Sequence, residues 1–99
     1  MAMGGETVGF NKEDIIIPNV HLNGTSANRL IALRCDARDV LETAYRQIRE
    51  MAPNGRDYYV EPGSMEKAES QHMRRLQVID DLVKELEYEV EQIEAKKRK

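Results

Sequence analysis

The sequence predicts an all-α fold: an antiparallel two-helix hairpin with an extended N-terminal arm, packed as a homo-oligomeric helical bundle. Three observations lead there. Apolar residues recur at helical spacing through two long segments. A short stretch rich in proline, glycine and asparagine separates those segments. Charged residues make up 33% of the chain and hydrophobic ones 40%, with one Phe, four Tyr and no Trp. That balance suits exposed helices better than a thick single core.

The elements follow in order. Residues 1–24 form the N-terminus and arm. Met1 to Asn11 is glycine-rich and polar and is expected to be mobile. In Ile15-Ile16-Ile17-Pro18-Asn19-Val20-His21-Leu22, β-branched residues and a proline favour extended backbone. Ile15, Ile17, Val20 and Leu22 should lie on a helix surface, with a neighbouring subunit as one option. Asn23-Gly24 marks a turn. Thr25 or Ser26 then supplies an oxygen to cap the first free N–H groups of a helix.

The hairpin itself is expected over 25–95. Helix A, 26–52, carries Leu30, Ala37, Ala44 and Met51 at seven-residue spacing, with Leu33 and Val40 beside them and Leu41 and Ile48 in a third row. These rows read as one apolar stripe. Pro53-Asn54-Gly55 ends the helix, and the loop covers 53–63. Ser64, or else Gly63 with Glu66 three positions on, caps helix B, 64–95. Met65, His72, Ile79, Leu86 and Ile93 form one row of helix B, and Leu76, Val83 and Val90 an adjacent one. Val78 and Leu82 widen this face beyond a narrow seam. A short loop makes the helices antiparallel. A hairpin this small is marginal alone, and sister chains are the simplest cover for its surplus apolar surface. The basic tail 96–99, Lys96-Lys97-Arg98-Lys99, complements the dipole at the helix end.

Several function classes are excluded at this level. The net charge of −3 is wrong for a general nucleic-acid binder. The apolar run Ile15-Ile16-Ile17 is far too short to span a bilayer. A lone Cys35 permits no internal disulfide, and no signal-peptide pattern opens the chain, so a cytoplasmic location is expected. Cys35 and His21 make no nucleophile–base pair, and no acid–base set converges, so no enzyme and no cofactor are expected. His72 stands alone on an apolar row, which reads as an interior residue rather than a metal ligand. The acids from Glu85 to Glu94 read as a solvated helix face.

Two segments could bind a ligand. The loop places Asn54, Arg56, Tyr58 and Tyr59 within a few positions. Arg can fork onto a phosphate, and Tyr can stack on a base. The entrance of helix A offers Asn23, Thr25 and Arg29 around the free N–H groups of a helix start, which favour anions. The plainer readings are that the loop covers the hairpin's end and the entrance is a cap. Within one hairpin the two segments sit at opposite ends, so a joint site would need two subunits.

The segments Val20-His21-Leu22-Asn23-Gly24-Thr25 and Pro53-Asn54-Gly55-Arg56-Asp57-Tyr58-Tyr59 resemble a family of short uncharacterised proteins of tailed phages and prophages. In that family an H-x-N-G-T entrance precedes the first helix and an N-G-R-D-Y-Y loop precedes the second. The resemblance spans residues 20–94 and implies a phage origin, a host-cell cytoplasmic setting and the hairpin fold, but no activity. In architecture alone the chain is similar to phage anti-defence sponges, which are oligomeric helical hairpins that sequester cyclic nucleotides. Two functions are therefore expected. One is a non-enzymatic oligomer that binds a cyclic nucleotide or related phosphorylated signal. The other is a structural or protein-interaction module with no small-molecule ligand.

Overall fold

The computed structural model describes residues 10–97. In chain order these form a 3₁₀ turn at Lys12–Asp14, helix α1 at Ala27–Arg49, a 3₁₀ turn at Gly55–Asp57 and helix α2 at Ser64–Lys97. Among the described residues there is no strand. Helices α1 and α2 pack against each other as a hairpin 61 Å long.

Local chemistry sets the boundaries. Ser26 caps α1: its backbone is extended, its Oγ accepts from the Arg29 N–H at 3.1 Å, and its carbonyl accepts from Leu30. At the far end, the N–H groups of Glu50, Met51 and Ala52 donate to the carbonyls three residues back, so the helix tightens before Pro53. Proline disfavours helical backbone in the residue before it. Helix A therefore stops at Arg49, short of the expected 52. At the start of α2, Gly63 holds the cap position. Its carbonyl accepts from Lys67 at 3.3 Å and its φ is +81°, a left-handed backbone that favours glycine. Ser64 is already helical, and its hydroxyl turns back to donate to the Tyr58 carbonyl at 3.0 Å. Of the two starts that the sequence allowed, the glycine holds. Helix α2 also runs past the expected end at 95 and takes in Lys96 and Lys97, while Arg98 and Lys99 lie outside the described residues.

The interhelix seam differs from the expected stripe on α1. It is made by Ala27, Leu30, Ile31, Arg34, Cys35, Arg38, Leu41, Ala44, Tyr45 and Ile48, all buried or half-buried. Leu33, Ala37, Val40 and Met51 are exposed. The expected stripe had merged two neighbouring rows, only one of which meets α2. On α2 the seam matches expectation better: His72, Leu76 and Ile93 are buried, and Ile79, Val83, Leu86 and Val90 half-buried. Ile93 is the one large side chain that is 0% exposed among the described residues, so the core is thin.

The arm lies along its own chain's α2. The Phe10 ring sits 5.7 Å from that of Tyr88, and Lys96 Nζ donates to the Pro18 carbonyl at 2.9 Å. The expectation of a mobile start can be followed only at Phe10 and Asn11, because residues 1–9 lie outside the described part. Asn11 caps the 3₁₀ turn by accepting from the Glu13 N–H. Ile15 and Ile17 are half-buried, as their alternation suggests, and Ile16 points to solvent. Val20 is exposed and Leu22 is 98% exposed, contrary to expectation, because the chain there turns away through the His21–Gly24 hydrogen bond to enter α1.

The burial pattern fixes a stability contrast. Ile93→Ala should cost about 2–4 kcal/mol and Leu22→Ala less than about 0.5 kcal/mol, measured as shifts of the urea unfolding midpoint.

Candidate interaction surface

The loop folds on itself. Asn54 Oδ1 accepts from the Arg56 N–H at 2.9 Å and from Arg56 Nε at 3.3 Å, so one asparagine caps the 3₁₀ turn and holds the guanidinium stem. Tyr58 is half-buried and its carbonyl ties the loop to Ser64. Tyr59 is 81% exposed, and Arg56 is exposed too. Beneath the loop a groove of about 390 Å³ is lined by Ala52, Pro53, Glu69, His72 and Met73, with none of the expected ligand residues on its wall.

At the opposite end, Asn23, Thr25 and Arg29 are all exposed. Of the first N–H groups of α1, that of Arg29 is already served there by Ser26. The His21 imidazole lies so close over Gly24 that a Cβ would sit 2.7 Å from Nε2, so a larger residue there would push this exposed ring aside. Lys97 Nζ donates to Asn28 Oδ1 at 2.8 Å, which puts this entrance beside the end of α2. The 23 residues of α1 separate the two ends by roughly 35 Å. The structure thus brings Asn54 and Arg56 together, with Tyr58 and Tyr59 in the same loop, and keeps Asn23, Thr25 and Arg29 apart from them.

Sequence reasoning missed the charges in the seam. Arg34 Nε pairs with Glu89, and its Nη1 donates to the Leu30 carbonyl at 3.0 Å. Arg38 reaches Asp39 at 3.4 Å and Glu87 at 3.9 Å, while its Nε is buried without a hydrogen-bond partner. Glu89 is therefore part of the helix–helix contact and not of a solvated face. The available signal was position: Arg34 and Arg38 fall on the row that Ala27, Ile31, Leu41 and Tyr45 define. The hydrogen bond to Asp39 raises the pKa of Arg38, and the one to Asp80 raises that of Lys84, so both stay cationic across the working pH range.

The two sides of the hairpin differ in chemistry. On one side a groove of about 420 Å³ is lined by Glu42, Tyr45, Arg46, Asp80 and Val83, a mixed and mostly polar wall. On the other side lies the second row of α1. There Leu33 is 44%, Val40 69% and Met51 54% exposed, with exposed Ala37 between them. At about 100° per residue this row stands roughly a quarter-turn from the seam. Val78 and Leu82, also exposed, likewise stand about a quarter-turn from the seam of α2. The displacement has the same rotational sense in both helices. Because the helices are antiparallel, the two rows share one side of the hairpin. No other element of residues 10–97 is packed on the α1 row.

Among the described residues no three His, Cys, Asp or Glu side chains gather as a metal site, and no helix is long and apolar enough to cross a membrane. No family model, curated protein or solved structure matches this chain, so the reading of the surface rests on its own geometry.

The seam pair has a measurable signature. Arg34→Met or Glu89→Leu alone should cost about 1–3 kcal/mol, because each strands a poorly hydrated partner. The double variant should cost clearly less than the sum, as read from a double-mutant cycle in urea.

Proposed function

We propose that this chain is a non-catalytic protein-interaction module that works as a homo-oligomeric helical bundle. The exposed row of Leu33, Ala37, Val40 and Met51 carries the reading. Its apolar residues repeat at the spacing of a helix-packing stripe, and a row of this kind left in water favours association. The motif resemblance to short phage proteins supports a setting in the host-cell cytoplasm. Sedimentation equilibrium at low micromolar concentration should give a mass that is a multiple of 11.4 kDa. A folded single chain at every concentration would overturn the reading.

A second reading is favoured by one observation: the Tyr59 ring and the Arg56 guanidinium are both exposed in a loop that is otherwise hydrogen-bonded in place. An aromatic face beside a cation suits a phosphorylated nucleotide signal, whose capture would counter host defence. Titration calorimetry against cyclic di- and trinucleotides and ADP-ribose derivatives tests this. Binding lost on Arg56→Ala or Tyr59→Ala is the expected result, and no heat with any of these ligands at high micromolar concentration removes the reading.

A further inference from the structure

We infer that the groove beneath the loop binds a small organic cation, a primary amine on a compact aromatic body, with His72 and Glu69 as its polar anchors. This site stands apart from the self-association proposed above. Met73 on its wall also lines the groove of Tyr45 and Asp80, on the side of the hairpin away from the exposed α1 row.

Three observations carry it. The first is the condition of His72. The residue is 9% exposed, yet its imidazole forms no hydrogen bond among the described residues. Buried polar groups nearly always have a partner. Nor is the ring sealed off: Arg38 Nε is the one fully covered side-chain N or O without a partner among the described residues. His72 lines the groove, so its unpaired polar edge opens onto that space.

The second is the chemistry of the wall. Glu69 precedes His72 by three positions on α2, a spacing that makes side chains neighbours on a helix surface. It is exposed and forms no ion pair among the described residues. A carboxylate only accepts hydrogen bonds, and a neutral imidazole has a lone pair on one nitrogen. No lysine or arginine lines the groove. Neighbouring acceptors without a cation suit an ammonium group, which brings three N–H donors, and repel a phosphate or carboxylate.

The third is size and lining. A volume of about 390 Å³ falls in the range of small-molecule sites. The rest of the wall is Ala52, Pro53 and Met73, all apolar. Met73 is 62% exposed, and a thioether packs well against an aromatic ring. An aromatic body thus finds cover on the apolar wall while its ammonium meets His72 and Glu69. Arg56, Tyr58 and Tyr59 are not on this wall, so a nucleotide held by the loop and an amine held by the groove are separate events.

Titration of the full chain with phenethylamine, followed by NMR of the histidine rings, tests the site. The chain has two histidines, and His21 lies at the opposite end of the hairpin. The His72 signals should move along a saturable curve in the high-micromolar to low-millimolar range, as fits so small a ligand, while those of His21 stay still. Phenylpropanoate, which carries a carboxylate in place of the ammonium, should move neither. Glu69→Gln should weaken the amine roughly tenfold and Met73→Ala roughly threefold, both at exposed positions where the fold tolerates change. A His72 ring that stays still up to several millimolar amine, an equal response to phenylpropanoate, or an unchanged affinity in Glu69→Gln overturns the site. A chain that stays single at every concentration and still shows the saturable His72 shift removes the self-association alone. A multimer with a silent His72 removes the amine site alone.

Discussion

The constraint behind this structure is that a seam between two helices can hide only one stripe of each. Here the seam buries Ala27, His72, Leu76 and Ile93 and half-buries their neighbours. Burial stabilises by roughly 25 cal/mol per Å² of apolar area, and a chain of 99 residues has little interior in which to collect it. Each remaining device answers that shortage. The loop folds back over the first turns of α2, where Ala52 and Pro53 share a groove with His72. The arm runs beside the last turns, where Phe10 meets Tyr88 and Lys96 holds the Pro18 carbonyl. Helix α2 outruns α1 by eleven residues, 34 against 23, and the loop occupies the overhang that this leaves.

The seam is not purely oily, and its polar members fix how the helices slide. Leucine and valine pack nearly as well one turn up or down. The pairing of Arg34 with Glu89 does not survive such a shift, and a buried charge without its partner is costly. The Arg34 stem lies along apolar neighbours while its head serves both Glu89 and the Leu30 carbonyl. Register is thereby set by two side chains near one end of the hairpin, and Lys97 on Asn28 holds the same alignment at the tip.

The two helices and the antiparallel hairpin were legible in the sequence, and the cap of α1 was narrowed to Thr25 or Ser26, because periodicity and capping are local signals. The division of the α1 face was not. Leu33, Ala37 and Val40 share a wheel with Leu30, Leu41 and Ile48, and apolar spacing tells which residues avoid water without telling which neighbour covers them. Arg34 and Arg38 interrupt the apolar spacing, yet their long stems let them stand in the seam. Gly63 was weighed below Ser64 because capping preference favours hydroxyls, whereas the backbone there needs a positive φ that serine adopts poorly. The loop motif was legible as a turn. That Asn54 would turn inward to hold Arg56 depends on a local fold that residue types alone do not specify.

The division of labour between the two sides of the hairpin follows from these same rows. A helix that packs on one neighbour needs one apolar stripe, and any second stripe raises the cost of staying in water. Polar residues would be the economical choice at positions 33, 37, 40 and 51 if α1 met only α2. The chain instead has Leu33, Ala37, Val40 and Met51 there, while the opposite side carries Glu42, Arg46 and Asp80 around Tyr45. The excess appears on both helices in the same rotational sense, while Met73, 62% exposed, is an apolar residue on the Tyr45 and Asp80 side. Random surface hydrophobes would scatter around the wheel. A face that recurs on both helices has the composition of a packing surface. The thin core of the lone hairpin and this spare face are then two views of the same allocation of apolar residues: what the seam lacks in depth is laid out on the side away from the polar groove.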